Sequence, residues 1–155
     1  MKLPIRGKES VALLVPHKRS MLLLDGILGF DREKGQATSL TEVDRSNLFF
    51  DGNLKGIPGY VCFELMAQTI SAYDYLMSGG VDGKPKVGFI LGIDKLKVFR
   101  PVIPQGSRVK TTVRQECAIG EAMFSFVGES KVGDETVASA TLMVYTVLHP
   151  EGFLR

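Results

Sequence analysis

The chain has no tryptophan, two cysteines, two histidines and almost no net charge. Each scarcity closes off a class of function. Cys62 and Cys117 are too few for a disulfide framework or a metal set, and Cys62 falls in an apolar run where it reads as a small filler. A formal charge of +2 over 155 residues is too weak to argue for nucleic acid. Met1–Ser10 is charged and too poor in apolar residues for a secretory signal. The longest apolar stretch, Ile57–Ser78, is interrupted by Glu64, Gln68 and Asp74, which argues against a membrane span. A soluble, cytoplasmic protein is the expectation. No internal repeat or low-complexity tract divides the chain, and at 45% hydrophobic it can build a sizeable core, so one domain over residues 1–155 is expected.

What is present is organised around Ile57–Ser78. A Pro-Gly pair opens it and roughly five turns of apolar helix follow. Val61, Phe63, Leu65, Met66, Ile70, Tyr73 and Leu76 leave it no broad polar face, so other elements must wrap it. Glu64 sits inside it, one turn from its start. A carboxylate there is costly to bury unless paired, hydrogen-bonded or protonated. Gly79-Gly80 ends the helix.

Before this helix, Val11–Leu14 is a short apolar run stopped by Pro16, and Pro16–Arg19 is a polar loop. Ile27–Phe30 and Gln36–Val43 read as a hairpin across Asp31–Gly35. Asp44–Gly56 is a loop whose Phe49-Phe50 pair docks it. After the helix, Val87–Ile93, Lys95–Phe99, Arg108–Cys117, Met123–Glu129 and Val137–Val147 are strand-like, and Pro101–Gly106 reads as a turn. The inventory is two strands, one helix, then five strand-like segments that make about four strands. One helix and a sheet of about six strands pack best when the sheet curves around the helix, an α+β arrangement with an edge left open for edge-to-edge dimerisation.

Three stretches carry a family resemblance. Val15-Pro16-His17-Lys18-Arg19 leads into Met21–Asp25. Phe49-Phe50-Asp51-Gly52 is followed by Pro58-Gly59 and Glu64-Leu65-Met66-Ala67-Gln68. Gly88–Lys95 runs on to Arg100-Pro101-Val102-Ile103-Pro104. In this order they resemble the β-hydroxyacyl-acyl carrier protein dehydratases of fatty-acid synthesis. The shortened Pro-Gly-Tyr form before Glu-Leu-Met-Ala-Gln is closer still to the dehydratase-like subunits of aryl polyene-type synthesis clusters. The resemblance implies a hotdog fold, a curved sheet around one central helix.

It also implies a reaction. A 3-hydroxyacyl thioester on an acyl carrier protein or coenzyme A loses water to give the trans-2-enoyl thioester, with no metal or cofactor. A histidine takes the α-proton, and a helix carboxylate, here Glu64, protonates the departing hydroxyl. Burial is expected to raise the Glu64 pKa. The Gly59 N–H, aided by the helix dipole, would face the thioester carbonyl. Asn53, Gln68 and Phe50 complete the expected substrate contacts, with Gln68 orienting Glu64 or capping a strand. The partner implied is a related hotdog subunit, as homodimer, heterodimer or trimer of dimers.

The departure from the family lies in its base. Asn53 follows Gly52 where the histidine belongs, and counting back from Pro58-Gly59 puts Gly56 or Ile57 there instead. An asparagine can orient but not abstract. Of the two histidines, His149 follows the last strand in an exposed tail. His17 either joins the chemistry or ties the N-terminal segment to the body. Lys95, Lys97, Arg100, Arg108 and Lys110 are either a basic face for an acidic carrier or a solvated strand face, with Asp94 blunting their charge. Three functions fit: a dehydratase with an altered site, a hotdog thioesterase in which Glu64 activates water, or a non-catalytic partner of an active dehydratase.

Overall fold

The computed structural model describes residues 2–147, so His149 lies outside the described residues. The strands are β1 (Ile5–Arg6), β2 (Gly26–Asp31), β3 (Gln36–Glu42), β4 (Gly56–Pro58), β5 (Gly88–Val98), β6 (Val102–Pro104), β7 (Arg108–Ile119), β8 (Met123–Val132) and β9 (Glu135–Thr146). Helix α1 is a single turn, Lys8–Val11, and α2 spans Cys62–Ser78. Seven strands form one antiparallel sheet in the order β1-β2-β3-β7-β8-β9-β5, and β4 pairs with β6 in a ladder of its own.

Alternation decides which face of the sheet receives α2. On β7, Val109, Thr111 and Val113 are buried while Lys110 and Arg114 are exposed. The register sets Ala37 opposite Val113, Ser39 opposite Thr111 and Thr41 opposite Val109, so the buried sets of β3 and β7 share a face. Leu65, Met66, Thr69, Ala72 and Tyr73 of α2 are buried with them. Full burial of a side chain such as Leu65 contributes about 1.5–3 kcal/mol. The hydroxyls carried into this interior are paired: Ser39 with Thr69 at 2.7 Å and Thr111 with Ser130 at 2.8 Å. Pairing removes the cost that an unbonded buried hydroxyl would carry.

The structure is the expected α+β hotdog, with some boundaries moved. The two-residue β1 extends the sheet beyond the six strands counted in the sequence. The central helix begins later than its apolar run. Ile57 and Pro58 belong to β4, Gly59–Val61 form a 3-10 turn, and α2 starts at Cys62. Pro58 is the reason, because a proline forces the residue before it into extended backbone. Pro101–Gly106, read as a turn, contributes β6, where Ile103 pairs with Ile57 and Val102 with Pro58. Val87–Ile93 and Lys95–Phe99 merge into one strand, β5, with an irregular register between Asp94 and Lys97. Helix α2 ends where expected: Gly79 is left-handed at φ 74° and its N–H donates to the Tyr75 carbonyl at 2.7 Å.

Strand β5 pairs with β9 and, among the described residues, with no strand on its other side. Leu91 and Phe99 along this edge are 55% and 57% exposed, a long apolar edge of the kind that natural sheets cover or pair. Among the described residues no helix is long and apolar enough to cross a membrane.

Candidate active site

The site begins with Gln68. Its side chain is fully buried on α2 and reaches backbone far away in sequence. Gln68 Oε1 accepts the Leu23 N–H at 2.9 Å, and Nε2 donates to the Met21 carbonyl at 2.8 Å. One amide therefore fastens the 21–23 segment to the helix. Upstream of that segment, Val11, Leu14 and Val15 are buried, and Lys18 Nζ donates to the carbonyls of Ala12 and Val15. The loop between these anchors carries His17.

Gln68 Nε2 also donates to Glu64 Oε1 at 3.0 Å, one helical turn away. His17 Nε2 lies 3.5 Å from the same oxygen. His17 and Gln68, 51 positions apart in the sequence, thus converge on one atom of one carboxylate within a single chain. The other histidine nitrogen, Nδ1, is buried with no hydrogen-bond partner among the described residues. Nε2 is therefore the nitrogen that faces Glu64 and the space in front of it. Burial pushes the His17 pKa below 6.5; the Glu64 carboxylate opposes this shift and Lys18 adds to it. The imidazole is neutral at neutral pH.

His17 and Glu64 stand between two cavities. One, of about 260 Å³, continues past Ala67, Ile70 and Val144 toward Phe89 on β5. The other, of about 230 Å³, is walled by Met21, Phe49, Tyr60 and Phe63. Glu64 is not sealed in the core as its apolar neighbours suggested, because its side chain keeps 30% of its surface between these cavities. A carboxyl group that holds a proton and a neutral imidazole, set together at the wall of an apolar cavity, can between them add and remove protons on one bound molecule.

The remaining candidates fall elsewhere. The Gly59 N–H, expected to face a substrate carbonyl, donates to the Pro101 carbonyl at 2.8 Å. A Cβ at Gly59 would sit 1.9 Å from the Arg100 carbonyl oxygen, so close approach of two backbones explains the glycine. Asn53 is exposed on a turn, where its N–H donates to Asp51 Oδ1 at 2.8 Å, and it lines neither cavity. Phe50 packs on the core with the Arg45 guanidinium 5.6 Å from its ring centre. Its neighbour Phe49 lines the smaller cavity instead. Two of the five basic residues are paired: Arg100 makes two 2.9 Å bonds to Glu135, and Arg108 lies 3.5 Å from Glu42. Ala67 and Ile70 were missed, although their spacing from Glu64 puts them along one side of the helix.

The ApeP-like family model, described as ApeP dehydratase, matches residues 9–155. The chain belongs to the ApeP-like dehydratase family. Curated relatives of this ApeP-like chain include the 3-hydroxyacyl-[acyl-carrier-protein] dehydratase FabZ of Paracidovorax citrulli, 31% identical over 139 residues, covering 87% of this chain and 92% of that protein. FabZ of Anaeromyxobacter sp. strain K is 28% identical over 143 residues, covering 90% of each. Among solved structures, the dehydratase heterocomplex ApeI:P from Xenorhabdus doucetiae superposes with a TM-score of 0.79 at 22% identity, covering 99% of this chain and 97% of the matched chain. The mutant thioesterase PA1618 of Pseudomonas aeruginosa gives 0.58 at 18%, covering 79% and 80%. This ApeP-like chain is thus a dehydratase-like protein of hotdog fold, and the dehydratase and thioesterase structures share that fold with it.

Proposed function

We propose that this protein dehydrates 3-hydroxyacyl thioesters to trans-2-enoyl thioesters, with His17 and Glu64 as an acid–base pair. The observation that carries this reading is their meeting at 3.5 Å between two cavities. His17 Nε2 takes the α-proton. The electron pair of that C–H bond forms the double bond, the β C–O bond breaks, and the leaving oxygen takes the Glu64 proton to depart as water. The step leaves an imidazolium beside a carboxylate, an ion pair rather than two separate charges. Passing the proton from Nε2 to Oε1 restores the starting state. In this reading His17 does the work that the histidine missing at Asn53 does in the resemblance.

The substrate's acyl group is carried on an acyl carrier protein, as in the names of the FabZ relatives. The working unit is a pair of hotdog chains joined along β5, supported by its open apolar edge and by the paired state of the ApeI:P relative. The reaction is cytoplasmic, where carrier-bound intermediates are made.

The test offers purified protein, alone and with a related hotdog chain, a 3-hydroxyacyl pantetheine thioester, and follows both loss of water and free thiol. Enoyl formation that falls at least about 100-fold in Glu64→Gln and in His17→Ala supports the reading. Free thiol as the product points to a thioesterase and overturns it. Turnover by the mixed pair that survives both substitutions assigns the chemistry to the partner and overturns it equally.

A further inference from the structure

His17 is held by its backbone more than by its ring. A working histidine is often oriented by a bond from its far nitrogen to a carbonyl or carboxylate. His17 Nδ1 is buried and makes no such bond among the described residues. Nε2 meets Glu64 at 3.5 Å, too long for that contact to fix the ring alone. The direction of the imidazole is therefore set by the loop that carries it.

That loop is short and sharply bent. Pro16 precedes His17 with its φ fixed by the pyrrolidine ring. Arg19 follows at φ 54°, a left-handed conformation that a residue with a Cβ seldom takes. Such backbone persists only where its surroundings over-determine it. Lys18 stands between His17 and this bend. A surface lysine ordinarily keeps its ammonium in water, yet the exposed Lys18 turns its own back onto the chain. Nζ donates to the carbonyls of Ala12 and Val15, the second at 3.1 Å. The Lys18 carbonyl accepts the Met21 N–H at 3.1 Å. One residue thus ties the loop to the buried segment before His17 and to the segment after it that Gln68 anchors.

We propose that Lys18 is a positioning residue, whose bonds to the Ala12 and Val15 carbonyls hold His17 Nε2 on Glu64. The proposal rests on the acid–base reading above. The same cation also acts through its charge. It favours the neutral imidazole, as burial does, and Glu64 opposes both. Tyr60 is the other titratable group on the cavities that His17 lines; β5 and β9 bring Phe89, Ile90 and Val144, which carry no charge. Without Lys18 the ring is less restrained and takes a proton more readily, so fewer molecules hold a neutral imidazole aimed at the α-carbon. Lys18 itself transfers no proton.

The experiment follows dehydration of 3-hydroxybutyryl pantetheine thioester by the full chain in whatever assembly is active, and in parallel the NMR titration of the histidine rings. The chain has two histidines, and the His17 signal is the one that His17→Gln removes. Lys18→Met keeps the length of the side chain and removes its donors and charge, whereas Lys18→Arg keeps both. Lys18→Met should lower kcat about 10–100-fold with KM within about twofold of wild type, and Lys18→Arg should recover most of that loss. The acid limb of the rate profile should move to higher pH in Lys18→Met. Glu64→Gln should lower the pH at which His17 titrates, because the carboxylate raises it. That drop should shrink in the Lys18→Met background, where the ring no longer rests on Glu64. A loss of rate with the drop intact makes Lys18 a structural residue and overturns the proposal. If no thioester is dehydrated yet the drop shrinks, the dehydratase reading fails and the positioning stands. If dehydration proceeds and Lys18→Met keeps kcat within about twofold of wild type, the positioning fails and the dehydratase reading stands.

Discussion

Replacing Gln68 with methionine keeps the size of the side chain and removes every polar contact it makes. The Met21 carbonyl belongs to a residue 52% exposed and can turn to water. The Leu23 N–H cannot, because Leu23 is 2% exposed and Gln68 Oε1 is the acceptor it uses. An orphaned buried N–H costs about 1–3 kcal/mol, and loss of the other two bonds brings the total to about 2–4 kcal/mol. For a chain of this length that lowers Tm by roughly 5–15 °C. The same substitution releases Glu64 Oε1 and loosens the segment just after His17, so kcat should fall about 100-fold while KM changes little. Gln68→Glu separates the two effects. It restores an acceptor for Leu23 while setting a second carboxylate against Glu64 and the Met21 carbonyl, so it should recover part of the stability and none of the rate. Calorimetric melts and initial rates of enoyl formation measure both. A Gln68→Met protein with wild-type Tm and wild-type kcat would refute the assignment of Gln68 as the residue that assembles the site.

Three further outcomes follow from the same contacts. Gly59→Ala drives a Cβ to 1.9 Å from the Arg100 carbonyl oxygen and 2.8 Å from Val98, so it should cost about 1–3 kcal/mol or more in denaturant unfolding; an unchanged midpoint would contradict the packing argument. Leu91→Lys places a charge on the open β5 edge and should shift the mass measured by light scattering toward the single chain, whereas an unaltered mass would place the partner elsewhere. Because burial holds the folded His17 pKa below 6.5, the unfolded chain binds that proton first. Stability should decline as pH drops from about 6.5 to the lower folded value and level off beneath it, and His17→Gln should remove this step from melts recorded between about pH 7 and pH 5; an identical slope in the variant would rule His17 out as its source.

The fold was legible because it rests on patterns that a chain carries locally. Alternation in Arg108–Cys117 and Val137–Val147 marked strands, and the all-round apolar run after Pro58-Gly59 marked a helix that had to be wrapped. Boundaries were less legible where a proline acts through its neighbour: Ile57 looks helical by composition and is held extended by Pro58 and by pairing with Ile103. Glu64 stands out in the sequence as a candidate through its neighbours, Glu64 through Gln68. Its relation to His17 does not, because nothing in the spacing of residues 17 and 64 indicates contact. That contact depends on a buried amide reaching from α2 to the backbone of Met21 and Leu23, a bond with no sequence signature beyond a glutamine in an apolar helix. The same distance effect misled the reading of Gly59, whose N–H looks free at the start of a helix until the Pro101 carbonyl arrives from the β5–β6 connection.

The most direct test of the His17–Glu64 pair is a double-mutant cycle on kcat for dehydration of a 3-hydroxyacyl thioester by the full assembly. His17→Ala and Glu64→Gln should each lower kcat by about 10²–10⁴-fold, and the double variant should be little slower than either single one, because the two groups complete one elimination. If His17→Ala keeps the wild-type kcat, or if the two losses multiply as for independent sites, the pair is not the acid–base machinery of this protein.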